Sequence, residues 1–146
     1  VVSGQLGKGH ALAKSVYCPD IQVGEDYTRD RWSVGAEWKH HVEGVDYWKN
    51  RTAQIQTEVL GGRDENNHSI GAYATACLPV CEALDIIASA DYFDYNMDLG
   101  LAQMNWVLGV QHWFYKNCRI QLQYTHANPA KSKHFGYLQT QVQVAF

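Results

Sequence analysis

Proline is scarce in this chain, with 3 among 146 residues, and a long apolar run is missing altogether. Few prolines leave long stretches of backbone able to donate into a hydrogen-bonded ladder. No segment reaches the roughly 18 consecutive apolar residues of a spanning helix. Charge of one sign is lacking too: 12 Lys and Arg stand against 15 Asp and Glu, a formal net charge of -3. That balance does not neutralise a phosphate backbone, which argues against nucleic acid as a partner. The cysteines are Cys18, Cys77, Cys81 and Cys118. Cys77 and Cys81 lie four apart, but no second pair at ligand spacing follows, so no zinc pattern forms. Gly-x-Ser-x-Gly, a phosphate-cradling Gly loop and His-Glu-x-x-His are all absent. The chain therefore reads as a non-enzyme without cofactor or metal.

What is present is alternation. The chain is 46% hydrophobic, yet its mean hydropathy is -0.36, so apolar and polar residues are interleaved. The last ten residues show it best. Leu138, Thr140, Val142, Val144 and Phe146 fall on one face of a strand, and Gln139, Gln141 and Gln143 on the other. The same split recurs upstream. Trp32, Val34, Ala36 and Trp38 oppose Ser33, Gly35, Glu37 and Lys39. Ala53, Ile55, Thr57 and Val59 oppose Gln54, Gln56 and Glu58. Ala72, Ala74, Ala76 and Leu78 oppose Tyr73, Thr75 and Cys77; Leu84, Ile86, Ala88, Ala90 and Tyr92 oppose Asp85, Ile87, Ser89, Asp91 and Phe93. Trp106, Leu108 and Val110 oppose Asn105 and Gln111; Ile120, Leu122 and Tyr124 oppose Arg119, Gln121 and Gln123.

Seven strands are expected from residue 31 onward. An eighth over 4–13 is less legible, with a long loop over 14–30. Turns after Lys39, Leu78 (residues 79–82) and Phe114 are expected to be short. Loops after Leu60 (residues 61–69), Tyr95 and His126 are expected to be longer and more polar. Apart from strand ends, the apolar face carries no Lys, Arg, Asp or Glu. The opposite face is too polar for the core of a small soluble protein, because each buried donor and acceptor would need a partner. An antiparallel transmembrane β-barrel satisfies both faces, with lipid outside and water inside, and it places short turns at one end and long loops at the other. The predicted lumen is lined by Glu37, Lys39, Gln54, Gln56, Glu58, Asp91, Gln111, Arg119, Gln121, Gln123, Gln139, Gln141 and Gln143. The predicted interfacial aromatics are Trp32, Trp38, Trp48, Tyr92, Trp106, Tyr124 and Phe146. Ordinary strand aromatics are the competing reading of these rings. The start, Val1-Val2-Ser3-Gly4, leads one to expect a mature or truncated chain. Its end on an aromatic residue is how closing strands of bacterial outer-membrane barrels end.

From Ser33 on, the chain resembles the phosphate- and polyphosphate-selective porins (porin O/P) of Gram-negative outer membranes. Residues 103–114, with Leu108-Gly109 ahead of Trp113-Phe114, look like the family's penultimate hairpin. Cys118-Arg119-Ile120-Gln121-Leu122-Gln123-Tyr124 resembles its Arg-x-x-Leu-x-Tyr upstroke. Residues 84–94 look like a strand that commonly reads Leu-x-Leu-x-Ala-Arg-Tyr-Asp. The resemblance implies the C-terminal part of a barrel of about 16 strands, a homotrimer in outer-membrane lipid with its C-terminus periplasmic. It also implies passive diffusion of small hydrophilic solutes or ions, anions and phosphate among them. One position departs: Ser89 stands where the family strand carries Arg.

Other readings stay open at this point. A complete eight-stranded barrel would fill its interior with side chains. A non-conducting barrel would serve as a structural or anchoring subunit of an envelope complex. A soluble β-barrel would turn the apolar faces inward around a ligand. Asp94, Asn96 and Asp98, with Gly100, have the odd spacing of calcium ligands. The Gly is one place late and no Glu closes the loop, so a solvated loop is the competing reading. Cys81 and Cys118 sit near neighbouring turns, where a disulfide or two thiols fit equally.

Overall fold

The computed structural model describes residues 1–42, 52–115 and 118–144. Those residues form eight strands and no helix: β1 (Val2–His10), β2 (Asp26–His41), β3 (Thr52–Asp64), β4 (Asn67–Cys81), β5 (Leu84–Asp94), β6 (Ala102–Tyr115), β7 (Cys118–Asn128) and β8 (Phe135–Gln143). They lie in one sheet in chain order, and every adjacent pair is antiparallel. Short connections favour this meander, since each strand finds its partner in the next. Among the described residues no ladder joins β1 to β8, so the sheet is open and has two free edges. Each strand contacts only its sequence neighbours, and among the described residues no second sheet or helix packs on either face.

The register keeps the two faces apart across the whole sheet. One apolar row runs Trp38, Ile55, Ala76, Ala88, Leu108, Tyr124, Leu138 from β2 to β8. The row beside it on the other face runs Glu37, Gln56, Thr75, Ser89, Val107, Thr125, Tyr137. A slip of one residue in any pair would carry that strand's polar set into the apolar row, so the pattern itself pins the register.

Several boundaries differ from the sequence expectation. Residues 61–69 are not a long loop: β3 and β4 stay paired out to Asp64↔Asn67, and only Glu65 and Asn66 lie between them. Glu65 takes a left-handed φ of 51° to close that hairpin. The glycines that look like loop residues mark packing instead. A Cβ on Gly61 would come within 2.5 Å of the Trp32 ring, which lies across it from the neighbouring strand. Gly71 makes the same room for Phe93. Covering a strand glycine with a cross-strand aromatic ring restores packing that glycine cannot supply.

Pro79 is likewise not in a turn. It pairs with Asp85 inside β4, beside a bulge between Pro79 and Cys81. It lies beyond Gln54↔Cys77, the last β3–β4 pair of the described residues, so the N–H it lacks is not needed on that side. The first strand runs from Val2 rather than Gly4, and β2 begins at Asp26 inside the expected loop, because His10, Lys8 and Leu6 pair with Asp26, Thr28 and Asp30. β2 continues through Lys39 to His41, and the turn expected after Lys39 falls largely on residues that lie outside the described ones. The loops at 11–25, 95–101 and 129–134 share the end of the sheet that holds the Glu65 hairpin. Three of four connections there are long, and the fourth is a tight turn.

Candidate functional site: the polar face

Burial runs opposite to polarity. On β7, Ile120, Leu122 and Tyr124 are exposed, while Arg119, Gln121, Gln123 and Thr125 are wholly or partly covered. On β6, Trp106, Leu108 and Val110 are exposed, whereas Gln111 is 3% exposed. Trp32, Val34, Trp38, Ile55, Val59, Leu138 and Val142 are exposed as well. The buried hydrophobic residues are few: Ile21, Ala53, Leu101, Cys118 and Ala127. The described surface is 9714 Å², against about 7,500 Å² for a compact monomer of this mass. The sheet leaves its apolar side exposed, and the described residues form no conventional core.

Side chains on the polar face hold one another. Gln54 donates to Glu37 at 2.6 Å, and Lys39 pairs with Glu37 at 3.0 Å. Gln56 donates to the Tyr73 hydroxyl at 3.1 Å. Thr75 and Ser89 share a 2.8 Å hydrogen bond, and Asn105 donates to Asp91 at 2.7 Å. Near the short turns, Asp85 accepts from Gln111 at 2.9 Å and from the Trp113 indole at 2.7 Å. Gln111 in turn accepts from Arg119 at 2.7 Å, and the Arg119 guanidinium lies 5.6 Å from the Trp113 ring centre. The Asp85 carboxyl, 4% exposed, thus accepts two hydrogen bonds, and Gln111 links it to Arg119. On β7 and β8, Gln121 donates to Gln123 at 2.7 Å and Gln123 to Gln139 at 2.8 Å. Gln141 and Gln143 continue that row on the same face.

Every predicted lumenal residue therefore lies on one face, and the network brings most of them together in pairs. Of the predicted interfacial aromatics, Trp32, Trp38, Tyr92, Trp106 and Tyr124 share the opposite, apolar face. Tyr92 and Trp38 lie near strand ends, while Trp32 and Tyr124 lie in mid-strand. Trp48 and Phe146 lie outside the described residues.

Asp94, Asn96 and Asp98 build a loop rather than a solvated ligand set. Asn96 is 1% exposed. Its amide donates to the Tyr17 carbonyl and to Asn67 Oδ1, both at 2.8 Å. Its Oδ1 accepts from the backbone of Asp98 at 3.0 Å and Leu99 at 3.3 Å, and Asp94 accepts the Asn96 N–H at 3.1 Å. One side chain thereby ties the 11–25 and 95–101 loops to the start of β4, and Tyr17 stacks on Tyr95 at 4.5 Å. Among the described residues no three of His, Cys, Asp and Glu converge on a metal position. The four cysteines are all thiols.

A cationic cluster lies under the 11–25 loop. Arg29 and Arg31 both bind Asp64, at 3.0 and 2.8 Å. Burial pushes the Asp64 carboxyl up, but the hydrogen bonds and charges of Arg31 and Arg29 outweigh it and hold the carboxyl below its ordinary value. Cys18 lies close by, and its thiol is raised by burial and by Asp64, against the pull of the two arginines. The sequence gives no sign of this cluster, because residues 14–30 and 61–69 read as loops. Asp85 does fall on the polar face in the sequence, yet only the fold shows that it organises Gln111, Trp113 and Arg119.

Comparison with family models, with curated proteins and with solved structures finds no match for this chain.

Proposed function

We propose that this chain is part of an outer-membrane β-barrel that lets small hydrophilic solutes or ions diffuse along its polar face. The observation that carries the reading is the inversion of burial against polarity from β2 to β7, within a sheet of eight strands in register. From Trp32 to His40, Ala53 to Gly61, Ile70 to Leu78, Leu84 to Tyr92, Ala102 to His112 and Ile120 to Asn128, no outward side chain is Lys, Arg, Asp or Glu. Water has no use for such a surface, since a monomer seldom exposes a contiguous apolar patch above a few hundred Å². Lipid does. The 11 residues of β5 or β7, at about 3.4 Å each and tilted about 45°, rise about 26 Å, close to the roughly 25 Å apolar band of such barrels. The two open edges fit a share of a larger closed sheet, as the porin resemblance implies. The homotrimer, the outer-membrane location and the periplasmic C-terminus belong to this same proposal.

A second reading has its own support. The 11–25 loop lies against the polar face, with Ile21 buried and Tyr17 locked by Asn96 and Tyr95. Such a loop would narrow or plug the lumen and favour a non-conducting anchor. One experiment addresses both. Refolding the chain in lauryldimethylamine oxide micelles should raise the strand signal in circular dichroism several-fold over that in buffer. Reconstitution of the full-length protein in a planar bilayer should then give stepwise conductance. Strand formation without conductance favours the plug, and full folding in plain buffer overturns the membrane reading.

A further inference from the structure

The polar face is not uniform. Its charges concentrate on β2, β3, β5 and the Arg119 end of β7, where they hold one another. The β8 side is different: Phe135, Tyr137, Gln139, Gln141 and Gln143 follow in one line, and none is charged. Phe135 and Tyr137 are exposed, and their rings lie parallel within 25° at 6.0 Å. Below them Gln121, Gln123, Gln139, Thr140 and Gln141 line a groove of about 280 Å³. We propose that this aromatic-and-amide track binds a neutral polyhydroxylated solute, a saccharide, and that it sets the solute class passed by the pore. The proposal rests on the polar face lining a lumen, as proposed above.

The chemistry of the track selects for such a ligand. Each glutamine amide offers two donors and two acceptor lone pairs. The chain from Gln121 through Gln123 to Gln139 uses only some of them. Gln121 Oε1, Gln139 Nε2 and the Gln141 amide make no side-chain hydrogen bond among the described residues. Adjacent sugar hydroxyls are themselves paired donors and acceptors, so they match an amide that presents both. An ion finds no counter-charge there and would lose hydration without recompense. The exposed ring faces of Phe135 and Tyr137 suit the apolar C–H faces of a pyranose, as aromatic rings do for apolar surface generally. Lys131 and Lys133 stand in the loop above the track, so an anion is the competing ligand to exclude.

The test uses maltotriose as the probe and inorganic phosphate as the control, with saturation-transfer NMR on the full chain, in micelles and in buffer. Saturation should reach the sugar ring protons in micelles, and 10 mM phosphate should leave it unchanged. Tyr137→Ala and Gln139→Ala should each weaken maltotriose binding about tenfold while circular dichroism stays at the wild-type level. Tyr137→Phe, which keeps the ring, should bind within about twofold. Micellar strands without sugar saturation overturn the saccharide track and leave the barrel reading standing. Loss of the signal to phosphate, or an unchanged signal in both alanine variants, also overturns the track. Sugar binding by protein folded in plain buffer overturns the membrane reading and with it the role of the track in a pore, leaving only a saccharide-binding face.

Discussion

Asp64 shows how a single side chain can fasten this sheet where no core exists to do so. It closes β3, is 13% exposed at its side chain, and accepts from both Arg29 and Arg31. Hydrogen bonds to charged groups contribute about 1.5–3 kcal/mol each in favourable settings; the arginines are partly solvated, which lowers the return. Asp64→Ala should therefore cost about 2 kcal/mol of stability, read from urea unfolding in micelles. The pH dependence follows from the direction of the shift. The folded carboxyl lies below its unfolded value, near 3.9, so its contribution is complete above that value. It is lost as pH falls through the folded value. Wild type should lose stability below about pH 4, whereas Asp64→Asn should show a flatter profile over the same range.

At the scale of the strand, the sequence is most legible where side chains alternate and least where glycine or polar residues interrupt. The seven strands after residue 31 are plain from period two alone, because each has an apolar and a polar side. Gly61 and Gly62 break that pattern, and sequence reasoning takes them for a loop. Only the position of Trp32 on the neighbouring strand explains why a side chain is missing there. Asp26, Thr28 and Asp30 hide the start of β2 for a related reason, since they put polar residues where the apolar face continues, and two of their three partners on β1, His10 and Lys8, are polar too. Asn96 is legible as one of three spaced oxygens but not as the buried tie between two loops and the start of β4, which depends on Tyr17, far away in sequence. The facing of each strand makes its own prediction. Leu122 lies on the exposed apolar face and Gln121 on the polar face of β7. Leu122→Arg should cost about 2–4 kcal/mol in lipid, as Arg does at a bilayer midplane. Gln121→Arg should cost less than about 1 kcal/mol, as a solvated substitution. Equal costs in a lipid refolding titration would mean that the faces are misassigned.

For the whole molecule, the question is what an open, polar-lined sheet would let through. The charges on the polar face of the described residues nearly cancel. Arg29, Arg31, Lys39 and Arg119 face Glu37, Glu58, Asp64, Asp85 and Asp91 on the same side of the sheet. Most are also held: Asp64 by two arginines, Glu37 by Lys39, Asp85 by Gln111 and Trp113. A ring of unpaired cations is what draws anions into a pore, and Ser89, on the strand where the porin O/P pattern places Arg, adds none. The expected behaviour is weak selectivity with a slight preference for cations. In a tenfold potassium chloride gradient across a planar bilayer, the reversal potential should sit within about 15 mV of zero, since a perfectly selective pore would reach about 59 mV for n = 1. Glu37→Gln should move it toward anions by releasing Lys39 from its partner. A wild-type potential beyond about 40 mV on the anion side, on the same scale, would mean that strands outside this chain supply a cationic filter, and the near-neutral face described here would not govern selectivity.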